Sequence, residues 1–410
     1  MAVDAMPLPP MRTLQRALHR VTESLAASLA HALAEPPRWS ELEWRLAPAV
    51  AAIHGISPLL AGAIRGSGPP DWRLFLAEQR RQTLLRQQRI AALLAQIDER
   101  ARSAGIVMIA LKGAALHATG LYAAGERPMA DLDLLTHPDD AESAVAVLLA
   151  LSFHDAGTTW KHQGFEPDAA QQHAALGEHA DNPIKIDLHH RIAERLPLPM
   201  TDLTDIVYPA HGDPGVNPYP SRAALMAHVL AHTAGAMACR QLRMIQLCDI
   251  ARIAARMTAA DWETLAGFHG HERRLWWAAP PLMLVDRYFP DIVPRDTRAH
   301  VERGCPRLLC RVAALRTLSA FSCSHLYIDP IPGIIWARSA GQAARYVLRR
   351  VFPDEAQRAQ MSVVAKTGPW ADEPGWHRQS QVRRALQWLS SRPARTETLQ
   401  PIRAALGRVH

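Results

Sequence analysis

Asp131 and Asp133 stand one residue apart in the apolar run DLDLL. Side chains alternate along an extended strand, so both carboxylates project from one side, roughly 6 to 7 Å apart, while Leu132 and Leu134 turn toward a core. Like charges that close repel unless a cation lies between them, and hard oxygen donors without cysteine suit Mg²⁺ or Mn²⁺. Mg²⁺ is commonly held by one or two carboxylates together with substrate phosphates, so a nucleoside triphosphate is the expected companion. Upstream, Lys112 and Gly113 close the apolar run IVMIAL. Downstream, in IKIDLHHR, Ile184, Ile186 and Leu188 share one strand face and leave Lys185, Asp187 and His189 on the other. A third carboxylate therefore projects from a strand.

The elements that must position these groups follow from periodicity and breakers. The β-branched run at 106–111 predicts a buried strand, 114–122 a helix and 131–135 a second strand. Pro138 then opens another helix with Asp139, Asp140 and Glu142 in its first turn, where the helix dipole favours acids. Residues 173–178 and 184–190 are expected to pair as antiparallel strands about the turn residues Asp181, Asn182 and Pro183. Apolar spacing predicts helices at 13–33, 39–53, 56–64 and 72–104 before this unit. After a Pro-rich linker at 209–220 it predicts helices at 223–238, 242–256, 259–268 and 273–288.

The expected fold class is α+β and mostly α: a small mixed-sheet core at 105–208, flanked by an N-terminal helical region at 1–104 and a C-terminal helical domain at 221–345. A basic Arg/Trp-rich tail follows at 346–410. A chain of 410 residues with 48% hydrophobic content has ample material for packed cores, and its wealth of Ala, Leu and Arg favours helices. The formal charge of +7 comes mainly from arginine and is spread along the chain, which reads as a solvated basic surface rather than a nucleic-acid face. Cys239, Cys248, Cys305, Cys310 and Cys323 form no CxxC pair, so neither a disulfide framework nor a zinc ribbon is indicated. The opening MAVDAMPLPPMRT lacks the signature of a signal peptide and no long apolar run follows, so a cytoplasmic protein without a membrane anchor is expected.

LKG, then an Arg-containing stretch, DLDLL, a following helix and IDLHHR resemble the uncharacterised nucleotidyltransferase family, a branch of the DNA polymerase β-like nucleotidyltransferase superfamily. HGISPLL near His54 and QLRMIQLCDIARI near Leu242 extend the resemblance to roughly residues 40–330. It implies that a turn after the first strand cradles phosphate, that two carboxylates on the next strand bind divalent ions, and that a carboxylate on a later strand completes the site. On matching positions these are Lys112 and Gly113, Asp131 and Asp133, and Asp187. Two ions so held clamp the attacking and leaving oxygens of an in-line displacement, and Asp187 either binds an ion or takes a proton from the acceptor. The superfamily's more usual Gly-Ser turn is replaced by Lys-Gly-Ala, and Gly113 precedes Asp131 by eighteen positions, a long interval.

Other residues have two readings each. Arg127 either meets the triphosphate or pairs with an acid. His189 either orients phosphate or acceptor or packs, and His190 points the other way. Arg243 and Asp249 either line an acceptor pocket or brace helices. His228 and His232 stand at i and i+4 without a HExxH glutamate, which favours helix-face histidines. Tyr122 reads as core. The tail residues Arg349, Arg350, Trp370, Trp376, Arg383, Arg384 and Trp388 fit base stacking or an Arg-rich wet helix face. The resulting expectation is a Mg²⁺- or Mn²⁺-dependent enzyme that moves a nucleoside monophosphate from an NTP to a hydroxyl or phosphate of a small molecule or peptide. The alternatives are a non-catalytic nucleotide-fold scaffold and a nucleic-acid tailing enzyme.

Overall fold

The computed structural model describes residues 8–30, 37–63, 68–168, 174, 176–209, 212–268, 275–353, 383–384, 386–387 and 392–407. Four helices lead: α1 Met11–Ala30, α2 Glu41–Ile53, α3 Ser57–Ala63 and α4 Pro70–Ala104. Helix α2 starts at a capping box in which Ser40 Oγ accepts the Glu43 N–H and Glu43 Oε2 accepts the Ser40 N–H at 2.7 Å. The 35-residue α4 ends at Gly105, whose φ of 70° is the left-handed conformation glycine adopts without strain.

The chain then builds β1 Val107–Ala110, α5 Lys112–Ala118, β2 Asp131–Thr136, α6 Ala141–Leu149, β3 Phe153–Thr158, β4 His162–Pro167 and β5 Lys185–His189. A small ribbon of β6 Ala193–Arg195 and β7 Met200–Asp202 follows, with α7 Thr204–Val207 and β8 Gly215–Asn217. The main sheet has six strands in the order β3-β4-β5-β2-β1-β8 and is mixed, with β2 parallel to β5 and β1 parallel to β8. Next come α8 Arg222–Ala238, α9 Met244–Ala254, α10 Ala259–Gly267, α11 Ala279–Tyr288, α12 Arg295–Gly304, α13 Arg307–Leu315, α14 Leu318–Phe321 and α15 Ala340–Val351. A further helix spans Thr396–Leu406. The protein is thus α+β and mostly α.

Two expectations are corrected. Among the described residues of 174–178 there is no strand, and the antiparallel neighbour of β5 is β4, itself paired with β3. The hairpin was hidden because its strands carry His, Asp, Gly and Gln instead of a clean apolar alternation. The segment 209–220 is more than a linker, because Gly215–Asn217 completes the sheet edge beside β1. Its Val216 N–H is held by Asp98 Oδ1 of α4 at 2.7 Å.

One sheet face packs Leu132, Leu134, Ile186 and Leu188, all fully buried, with Ile90 and Ile97 of α4 and Leu148 of α6. A one-residue slip of β2 or β5 would drive these side chains into the polar site and the aspartates into the core, so burial fixes the register. The helices before and after the sheet share a second core, in which Leu14, Leu46 and Leu60 join Leu230, Leu284 and Trp336. Ile402 of the helix Thr396–Leu406 belongs to the same core. Leu33, Ile64, Arg273, Trp370, Trp376 and Trp388 lie outside the described residues.

Candidate active site

Strands β2 and β5 run parallel in a register that sets Asp131 beside Lys185, Asp133 beside Asp187 and Leu135 beside His189. Residues paired across adjacent strands face the same way, so the three aspartates share one face. Strand β4 adds His162 opposite His189 and Gly164 opposite Asp187.

Arg86, reaching from α4, fixes the starts of both acid-bearing strands. Its Nε donates to Met129 O at 2.9 Å, and its Nη2 donates to Ala130 O at 2.7 Å and Pro183 O at 2.8 Å. Its Nη1 donates to Asn182 O. Charge-assisted bonds of this kind are worth about 1.5 to 3 kcal/mol each, and here they join residues ahead of β2 to residues ahead of β5. Glu178 lies 3.1 Å from Arg86 Nε.

Asp133 is buried, and its Oδ1 accepts from Lys112 Nζ at 2.7 Å and from His189 Nε2 at 2.9 Å. A carboxylate only accepts, so Nε2 is the protonated nitrogen of a neutral His189. Burial works against ionisation of Asp133, but the Lys112 ammonium and the His189 bond outweigh it and hold this carboxyl well below the usual range. Burial likewise opposes the charge of Lys112, and Asp133 and Asp131 more than compensate, raising its pKa. Asp131 lies at the exposed rim, yet crowding by surrounding protein and the like charge of Asp133 push its carboxyl upward. Asp187 is pushed up to about 8 by burial and by the charges of Asp131 and Asp133.

Lys112 opens α5 with a φ of 42°, a conformation disfavoured for a side chain this size. That geometry accompanies a backbone N–H donated to Tyr219 Oη at 3.3 Å and an ammonium directed at Asp133. Gly113 is buried beneath Arg127 and Met129. A Cβ there would stand 2.6 Å from Met129 Sδ and 2.8 Å from Arg127 Nη1, so glycine permits close packing of α5 on the segment leading to β2.

Arg127 is committed elsewhere. Its Nε and Nη2 each donate to Asp249 at 2.8 Å, and Tyr122 Oη donates to the same carboxylate at 2.6 Å. This buried cluster braces α9 against the approach to β2. Arg243, immediately before α9, is exposed, makes no ion pair among the described residues and lies near enough to lower Asp131. His228 and His232 have separate partners: His228 Nδ1 and Tyr219 Oη share a hydrogen bond at 2.6 Å, and His232 Nδ1 is 3.5 Å from Glu194. Glu194 also pairs with Lys161 at 2.6 Å.

Sequence reasoning missed His162, Lys161 and Arg86. Lys161 lies in the unrecognised hairpin turn and His162 just after it, and Arg86 is one arginine among several on a long helix. Beside His162 a cleft of about 370 Å³ is lined by Thr159, Trp160, Lys161, Arg191 and Thr204 among others, and none of the three aspartates reaches it.

The acidic face offers the hard oxygen donors that a divalent cation such as Mg²⁺ takes. Three carboxylates crowd one surface, and burial together with their mutual repulsion raises two of them. The chain belongs to the uncharacterised nucleotidyltransferase family, whose model matches residues 40–268. No curated protein and no solved structure matches it. Among the described residues no single helix is long and apolar enough to cross a membrane.

Proposed function

We propose that the protein transfers a nucleoside monophosphate from an NTP to a hydroxyl or phosphate on a small molecule or peptide, with Mg²⁺ or Mn²⁺ and release of pyrophosphate. The observation that carries this reading is the matched placement of Asp133 and Asp187 on adjacent strands with Asp131 on the same face. Asp131, Asp133 and Asp187 are the residues that would hold the metal. When bound, the ion neutralises the triphosphate and polarises the phosphoryl oxygens under attack.

The chain's own groups do the rest. Lys112 and His189 clamp Asp133 Oδ1, so this carboxylate is preset in one orientation and stays ionised. Asp187, on the strand beside Asp133, either joins the metal or takes the proton from an acceptor hydroxyl. Arg243 offers an exposed guanidinium on the Asp131 side for the triphosphate. The family membership supports nucleotidyl transfer and leaves the acceptor open.

Asp133→Ala, assayed for pyrophosphate release with each NTP and Mg²⁺, is expected to lose about a hundredfold or more in turnover. Undiminished release ends the proposal. A second reading, a nucleotide-fold scaffold without turnover, is favoured by Lys112, which occupies Asp133 Oδ1 with a cation of the chain itself. Calorimetry separates the two, because the scaffold predicts no metal-dependent NTP binding, or binding without pyrophosphate release.

A further inference from the structure

His162 is the side chain that the acidic site leaves unexplained. It stands on β4 directly across from His189, with ring centroids 5.1 Å apart. Its Nε2 is 3.5 Å from Asp187 Oδ2, long for a hydrogen bond, and its buried Nδ1 has no partner among the described residues. A polar ring brought into a charged pocket with neither nitrogen well bonded is costly unless something else takes a lone pair.

One donor atom each from His162, Asp187 and His189 lie within 4.8 Å of one another. Opposite Asp187 the strand has Gly164, where even a Cβ would come 3.5 Å from Gly157 O and 3.9 Å from Asp187 Oδ1, so the absent side chain keeps room beside the carboxylate. Burial holds both imidazoles neutral, the form that ligates metals. Neutral imidazole nitrogens favour dications from the Fe²⁺ to Zn²⁺ part of the first row, whereas Mg²⁺ prefers oxygen and gives up water reluctantly.

We propose that His162, Asp187 and His189 form a nitrogen-bearing metal site, distinct in donor chemistry from the Asp131 and Asp133 pair, that takes a borderline dication such as Zn²⁺ or Co²⁺ in preference to Mg²⁺. It deepens the function proposed above, since Asp187 belongs to both sets. The site gives the enzyme a cation position that Mg²⁺ fills poorly, so metal identity becomes part of its specificity.

The test is a titration of the full-length protein with Co²⁺, read by visible d–d absorption and needing no turnover. The expected result is saturable bands of a nitrogen-ligated ion that persist in a large excess of Mg²⁺ and are displaced by Zn²⁺. His162→Ala should weaken Co²⁺ binding by at least about tenfold, with His190→Ala as a control that leaves it unchanged. Absent bands, easy displacement by Mg²⁺, or equal affinity in folded His162→Ala overturns the site. Should His162→Ala fail to fold, the wild-type titration against Mg²⁺ still decides. Bands without NTP turnover under any metal would remove the function proposed above and keep this site, while Mg²⁺-supported turnover without bands would do the reverse.

Discussion

Asp133 and Asp187 occupy facing positions of adjacent parallel strands, yet their environments drive them in opposite directions. Asp133 has Lys112 Nζ at 2.7 Å and is held ionised, whereas Asp187, 3.5 Å from the His162 imidazole, is pushed up to about 8 by burial and by the charges of Asp131 and Asp133. Two carboxyls whose environments separate their proton affinities can divide the labour of binding and proton transfer.

For Asp187→Asn two opposite effects are expected. Its raised pKa means the folded state retains a proton that the unfolded chain releases above its ordinary value of 3.8, so stability falls as pH rises toward 8. In metal-free buffer at pH 8.5 the amide should therefore raise the unfolding free energy by about 1 kcal/mol or more. Turnover should fall by about a hundredfold or more. Denaturant melts with and without divalent cation check this, and a cation that stabilises the variant as much as the wild type would contradict it.

Arg127→Gln should act on stability rather than on nucleotide affinity. Removing one member of a buried bidentate pair strands Asp249, at a cost of about 3 to 5 kcal/mol. Asp249→Asn should cost a similar amount, and the double variant much less than the sum. An NTP affinity that drops in a fully folded Arg127 variant would instead place this guanidinium on the substrate.

Arg243→Ala is the complementary case. An exposed residue without an ion pair among the described residues should leave the unfolding free energy within about 0.5 kcal/mol of the wild type. KM for the NTP should rise about tenfold with kcat nearly constant, the pattern of a lost ground-state contact. Steady-state kinetics over a range of NTP concentrations read the split directly.

His54 predicts acid sensitivity far from the site. Its Nδ1 accepts the Met244 N–H at 3.0 Å and its Nε2 lies 3.3 Å from Ser324 Oγ, a pattern that requires the neutral ring, and burial lowers its pKa to about 3. Below its unfolded value of 6.5 the unfolded chain takes a proton that the folded state refuses, so stability declines as pH falls from 6.5 toward 3. The slope from this one ring approaches about 1.4 kcal/mol per pH unit. His54→Asn should flatten the profile between pH 6 and pH 4 by about that amount, measured by urea unfolding across the range, though with lower stability at neutral pH.

The sequence by itself determined the strong local patterns. The apolar runs around Met108 and Leu134 demand strands, period two sets Asp131 with Asp133 and Asp187 with His189, and the long helix ends at Gly105 because glycine accepts the left-handed turn. These depend on neighbours a few residues apart. Tertiary structure alone decided which strand lies beside which, and hence that Asp133 meets Asp187, that Lys112 turns to Asp133, and that Arg127 finds Asp249 more than a hundred residues away. It also brought in His162 from a hairpin whose polar strands carry almost no propensity signal. Partner choice among charged groups is set by burial and by the packing of α4 and α9 against the sheet, and neither is encoded in spacing along the chain.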